Sequence, residues 1–271
     1  MEKVTLYRFG AVIPFVILHA AAVAVLVWGP WTGAAFAWLA GSYFLRMFGV
    51  TAGYHRYFSH RSYRLGRFSQ FAMAFLAQTS AQKGVLWWAG HHRTHHRKAD
   101  QEGDIHSPVR SGFWWSHVGW VISNQHDETE PGAVKDFSRY PELVWISRHH
   151  WIPTVVFAAA VLAVGGWTAF IWGYVLGTVL LYHGTFSINS VAHVWGFRRF
   201  QTDDDSRNNL LLALLTLGEG WHNNHHFSAS SCRQGYRWWE VDITYYVLKI
   251  LSGLGIARDL RPFRAVESVE P

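Results

Sequence analysis

A single cysteine, Cys232, in 271 residues excludes an internal disulfide and any zinc site built from several thiolates. Charge is scarce too: Asp, Glu, Lys and Arg supply 15% of the chain, against 50% hydrophobic and 17% aromatic residues. Soluble domains carry about 25% charged residues, so the balance moves the chain into the membrane class. The net charge of +6 does not argue for nucleic acid, because Lys and Arg gather at the ends of apolar stretches, where anionic headgroups and topology account for them. No HExxH glutamate is present, which removes the zinc peptidases. No long-period repeat or low-complexity tract appears, and the first apolar stretch, lacking a small-residue cleavage site, does not read as a signal peptide. The segment from about Ala265 to Pro271 reads as a loose tail.

What the chain does have is apolar length. Ala11 to Trp28 is 18 residues with one ionisable group, His19. As a helix it would run about 27 Å, roughly one hydrocarbon thickness. Gly29-Pro30 breaks it, and a second stretch runs from about Thr32 to Val50, with Arg46 near its end, placed to snorkel. Trp151 to Trp167 and Ala169 to about Ser187 form another pair around Gly165-Gly166. Each pair predicts a helical hairpin. The turns Gly29–Gly33 and Gly165–Thr168 hold no Lys or Arg, whereas Lys3, Arg8, Arg56, Arg61, Arg64, Arg67, Arg198 and Arg199 flank the other ends. The positive-inside rule then puts both termini and the central loop in the cytoplasm. Phe68 to Trp88 is apolar but interrupted by Gln70, Gln78, Thr79, Ser80, Gln82 and Lys83, and is expected to lie as one amphipathic helix at the interface. Gly173-x-x-x-Gly177 would let two spans approach closely.

Beside these stretches nine histidines form four clusters: His55 and His60; His92, His95 and His96; His193, four residues after Asn189; and His222, His225 and His226. In HxxHH the positions i, i+3 and i+4 share a helix face, so three imidazoles can converge. His55 and His60 lie roughly 140° apart on an ideal helix, so they serve different metals or the helix unwinds between them. Imidazole suits iron, zinc or copper, and nine exceed one metal's capacity, so two metals are expected. With no Asp or Glu inside the clusters, the site is not the carboxylate-rich di-iron centre of soluble bundles. His19, His183, His117, His126, His149 and His150 read as hydrogen-bonded structural residues. His91 points off the ligand face, as an outer or substrate-facing residue. A transporter using a histidine relay would put ionisable groups deep within its spans, where only His19 and His183 lie.

The motifs HRYFSHRSY, HHRTHH, SGFWWSHVGW, NSVAH, GEGWHNNHH and WWEVDIT, spread from about Gly53 to Thr244, resemble the membrane-bound fatty acyl desaturases, in particular the delta-9 stearoyl-CoA desaturase-like group. The resemblance implies an all-α integral membrane protein, a single domain over 1–271: four transmembrane helices in two hairpins (about 11–28, 32–50, 151–167 and 169–187) plus a cytoplasmic helical cap (about 51–150 and 188–264). It implies a di-iron centre ligated by His55, His60, His92, His95, His96, His193, His222, His225 and His226, with Asn189 reaching one metal through water. The implied reaction uses dioxygen and two electrons to place a cis double bond, at delta-9, in a saturated acyl chain on CoA or lipid. A related di-iron hydroxylase or monooxygenase is the alternative. The setting implied is a bacterial inner membrane with the active site cytoplasmic.

No cytochrome-like domain is fused, so electrons would come from a separate carrier, ferredoxin-like or cytochrome-type, with its reductase. Animal acyl-CoA members carry an Arg-Asp pair where this chain has Gly90 and His91, and Trp221-His-Asn-Asn-His-His resembles the acyl-lipid members. Lys83, Arg93, Arg97 and Lys98 could contact phosphates, but are read as facing solvent or headgroups. Metal-bound histidines need partners for their second nitrogen, and the nearest carboxylates in sequence are Asp104, Asp203, Asp204, Asp205, Glu219, Glu240 and Asp242. Trp87, Trp88, Trp114, Trp115, Trp238 and Trp239 are expected as interfacial or packing residues rather than substrate contacts.

Overall fold

The computed structural model describes residues 7, 9–130 and 132–263. Lys3 and Arg8, used above for orientation, and the tail from Ala265 lie outside them. Helix α1 (Phe9–Trp28) ends at the expected Gly29-Pro30 break. Helix α2 (Gly33–Phe48) starts on Thr32, whose Oγ1 accepts the Ala35 N–H at 3.2 Å. Such a cap satisfies one of the donors a helix start leaves without partners.

Among the described residues, two runs are long and apolar enough to cross a bilayer, Phe9–Trp28 and Trp151–His193. Their apolar side chains face outward: Ile17 is 62% exposed and Val164 79%. At 43 residues the second run would be about 65 Å long if straight. It is not straight. Gly166 sits at φ 65°, ψ −162°, and the Thr154 hydroxyl meets the Tyr174 hydroxyl at 2.9 Å, so the chain doubles back there as a hairpin. Only glycine reaches that φ without strain. The Gly173/Gly177 signal also finds its close approach: a Cβ on Gly173 would stand 3.1 Å from the Trp38 carbonyl oxygen of α2, and one on Gly177 2.7 Å from Arg46.

Arg46 corrects an expectation. It does not snorkel but is fully buried, donating to the Ser42 and Gly173 carbonyls and to Thr178 Oγ1, with Phe157 and Tyr174 on either side. The glycine-lined crossing of the two helices provides carbonyl acceptors within reach, and burial with full pairing replaces escape to water.

The segment expected as one helix over 68–88 is two. Helix α3 (Arg67–Gln78), about 18 Å long, is too short to span, and α4 (Val85–Lys98) follows a tight turn with positive φ at Ala81 and Lys83. The polar residues read as a wet face build the joint instead. Thr79 and Ser80 bond the last carbonyls of α3, while Gln78 is fully buried, bonding the Val85 N–H and the Ile146 carbonyl. The turn lets α4 pack back beside the continuation of α2, residues Gly49–Ser59, which are all buried. A small antiparallel pairing of β1 (Arg64–Leu65) with β2 (Ala257–Arg258) closes the cap over a core including Tyr54, Phe58, Tyr63 and Leu248.

Candidate metal centre

The continuation of α2 is wound wide. Its hydrogen bonds step five residues, and the His60 N–H reaches the His55 carbonyl at 3.2 Å. Such π-helical turns are rare and cluster at functional sites. Here the wider turn brings residues five apart toward one face. His55 and His60 therefore join the same group, and of the two alternatives above the one with separate metals is overturned.

Two groups of imidazoles result, each with ligand atoms within 4.8 Å of one another. One holds His55, His60, His92, His96 and His225; the other holds His95, His193, His222 and His226. The three histidines of an HxxHH segment do not converge as expected. On α4, His92 and His96 face the first group and His95 the second; on the short helix His222–Phe227, His222 and His226 face the second and His225 the first. Positions i and i+4 differ by about 40° around a helix, whereas i+3 and i+4 differ by about 100°, enough to aim at separate points. Asn189 ends the helix Gly177–Asn189, where its carbonyl accepts the Ser116 hydroxyl at 2.9 Å.

Carboxylates back the rings. His95 Nδ1 pairs with Asp104 at 2.9 Å, His193 with Asp100 at 2.7 Å, His226 with Asp204 at 2.8 Å, and His55 with Glu219. Burial alone would raise all four carboxyls. The adjoining imidazoles, joined by Arg56 at Glu219, overcome it, bringing Asp100 and Glu219 to about 2 and holding Asp104 and Asp204 well below the ordinary range. Asp104, Asp204 and Glu219 were anticipated. Asp100 was missed because it lies in the turn after α4, at φ 56°, where a lone acid carries no sequence signal. Asp242 and Glu240 serve at one remove: Asp242 holds Arg56 and the Gln234 N–H, and Glu240 holds Asn224 and Arg199. Asp205 offers its backbone N–H to Asp100, and among the described residues no contact ties Asp203 to the site.

This arrangement fits metal ions. A neutral imidazole that gives its Nδ1 proton to a carboxylate presents a bare lone pair at Nε2. His193 and His226 both do so, yet their Nε2 atoms lie 3.0 and 3.1 Å from the Nε2 of His222, which has one proton at most to share. His225 Nε2 stands 3.0 Å from both His55 Nε2 and His96 Nε2, and the buried His95 Nε2 has no partner among the described residues. Nitrogens bound at about 2.1 Å and right angles are about 3.0 Å apart, so a cation in each group accounts for these spacings. His106 was also missed. Its ring lies 4.2 Å from that of His95, and with His95 and Asp104 it makes a further three-residue group, although Asp104 Oδ1 is already committed to His95.

Burial, then the neighbouring rings, push His60, His92, His96, His222 and His225 well below their ordinary value of 6.5. The unfolded chain takes up protons as pH falls through about 6.5 while the folded chain does not, so stability declines with falling pH. His95 opposes this, because Asp104 overrides the effect of burial and raises it. Metal-free protein in detergent should therefore lose melting temperature steadily from pH 7.5 to 5.5, read by a thermal-shift titration. A flat profile would contradict neutral burial of these rings. Separately, Asp204→Asn should weaken metal binding by about 10- to 100-fold, measured by competition with a chelator.

A cavity of about 810 Å³ runs to the first group. Gly10 and Pro14 of α1, with Asp127, bound it where it reaches the surface, and His92, His106 and Asn189 line its inner part. Its walls include Phe15, Trp120, Tyr182 and Phe186, and also Trp87 and Trp88, which pack on Trp120 and Tyr54 as expected while lining the cavity as well. Trp88 stacks on His92 at 4.9 Å. Trp114 and Trp238, 76% and 87% exposed, do face outward. His91 lines the cavity against Trp87, its pKa lowered to about 4 by burial and then by the charges of His126 and Lys83. His150 lines it as well. His19, His183 and His117 form a hydrogen-bonded chain ending on Ser190, a structural role as expected.

Residues 28–251 match the fatty acid desaturase family. The chain belongs to that family. It is 36% identical over 226 residues to the sn-2 palmitoyl-lipid 9-desaturase of Nostoc sp. (strain 36), covering 82% of this chain and 77% of that protein. Against the sn-1 stearoyl-lipid 9-desaturase of Synechocystis it is 37% identical over 214 residues, covering 79% and 67%. Against the icosanoyl-CoA 5-desaturase of Limnanthes douglasii it is 32% identical over 253 residues, covering 92% and 71%. The protein is thus an oxidoreductase acting on acyl chains, and the transporter reading falls away.

Proposed function

We propose that the protein is a di-iron, dioxygen-dependent desaturase that places a cis double bond, at delta-9, in a saturated acyl chain carried on CoA or lipid. What carries this reading is the end of the cavity: an aromatic-walled channel bordered by an apolar helix terminates on the first imidazole group. The nine histidines above would hold the two irons, the five of the first group one and the four of the second the other, with Asn189 reaching one of them through water. Bound iron with dioxygen supplies an oxidant able to take hydrogen from a methylene that offers no acid to a general base. Trp88 holds the His92 ring and narrows the channel beside it, the four carboxylates fix tautomer and aim, and the apolar walls exclude water.

Four spans in two hairpins carry the site in a bacterial inner membrane, with the histidines and both termini on the cytoplasmic side, where a ferredoxin-like or cytochrome-type carrier delivers electrons. Because His60 Nε2 lies 2.8 Å from His92 Nε2, the segment between them begins and ends on one side of any bilayer. An Arg97→Cys protein tests that side. Arg97 is exposed, and Cys232 is fully buried with its thiol pushed up to about 12 by burial, so only the new thiol reacts with a polar maleimide. Labelling is expected in inverted membrane vesicles and not in intact spheroplasts.

The decisive experiment is expression in a host without its own desaturase, followed by gas chromatography and mass spectrometry of fatty esters. A monounsaturated product is expected. A hydroxylated one would transfer the protein to the related hydroxylases, and neither product would end the reading.

A further inference from the structure

Resting on the desaturase reading, we infer that the acyl chain enters still esterified to a membrane glycerolipid rather than as a thioester of coenzyme A. The first observation is charge. Among the described residues, the cavity is lined by one cation, Lys83, and one anion, Asp127, whose charged atoms lie 3.9 Å apart. Lys83 also sits over the Trp87 ring at 4.2 Å. Coenzyme A brings several phosphate groups, each negatively charged at neutral pH, and such groups are taken by arginine or lysine clusters. The described residues of the mouth, with no net charge, offer no such clamp.

The cations of α4 are engaged elsewhere. Arg93 spends its guanidinium on both oxygens of Asp136 and on the carbonyls of Phe58, Ser59 and Ala133. Arg97 and Lys98 pair with Glu130. None of the three lines the cavity. Gly90 leaves no seat for a further cation, because a Cβ there would stand 2.5 Å from Thr129 Cγ2, in the loop that carries Asp127.

The second observation is where the opening lies. Gly10 and Pro14, the exposed lining residues on one side, belong to α1, one of the two runs apolar enough to cross a bilayer, and Val121 and Ile122 are also part of the lining. A lipid acyl chain can slide in sideways from the leaflet without exposing its methylenes to water, a transfer that is unfavourable for each CH₂. The headgroup and second chain stay in the bilayer.

The test compares two substrates for the purified, metal-loaded enzyme with a reducing system. One is stearoyl glycerolipid in liposomes. The other is stearoyl-CoA at equal acyl content, in liposomes whose own chains are already unsaturated. Unsaturated product at a rate at least about tenfold higher on the lipid supports the inference; equal or faster turnover of the thioester overturns it. No product from either would instead overturn the desaturase reading. A binding readout needs no turnover: metal-free protein should hold radiolabelled stearoyl-CoA weakly, and Asp127→Lys should tighten it about tenfold by giving the phosphates two lysines. Tight binding before the substitution, or no gain after it, would overturn the inference.

Discussion

Alanine in place of His225 is expected to leave no detectable unsaturated product and to remove metal from the first imidazole group, a loss beyond the roughly 100-fold seen when only an outer partner of a metal ligand is changed. The position is chosen for its contacts. His225 Nε2 touches His55 Nε2 and His96 Nε2, each at 3.0 Å, so it links histidines from the widened helix and from α4. The substitution leaves His222 and His226 in place, so the second group should retain its ion. Metal analysis giving about half the wild-type content, with no fatty-ester product, is the expected pair of results. Full activity with unchanged metal content would remove His225 from the centre.

Arg56→Ala should be as damaging for a different reason. Arg56 is 1% exposed, and its guanidinium bonds Glu219, Asp242 and the Cys232 carbonyl. Removing it leaves two carboxylates buried without their cation, a change that costs about 3–5 kcal/mol. At about 2–4 °C per kcal/mol for a chain of this size, the melting temperature should fall by on the order of 10 °C. Lysine would not rescue it, since one ammonium cannot reproduce the fork that meets both acids. The damage should also reach the metals, because Glu219 is the partner of His55. A thermal melt with metal analysis on the same sample reads both effects, and a variant as stable as wild type would show that the arginine is dispensable.

The histidines were legible because their chemistry demands a joint role: no packing argument explains nine imidazoles in four clusters. Helix ends were legible where glycine and proline mark them, at Gly29-Pro30 and at Gly165-Gly166. What escaped depends on partners distant in sequence. Arg46 reads as a snorkelling cation until the Gly173 carbonyl is seen beside it, 127 residues away. Gln78 reads as a wet position until Ile146 takes its amide. Asp100 has no signature of its own, because its meaning comes from His193. The sharing of each HxxHH segment between two groups was hidden as well, since heptad-like spacing says which residues share a face and not how many targets that face has.

The backbone between His95 and His96 is a single peptide link, yet the two rings belong to different groups, and His225 and His226 repeat the arrangement. The distance between the two centres is therefore gauged by the girth of a helix at two places, and no loop adjustment can alter it independently. Two ions bound in these groups would be held by such callipers at a fixed separation.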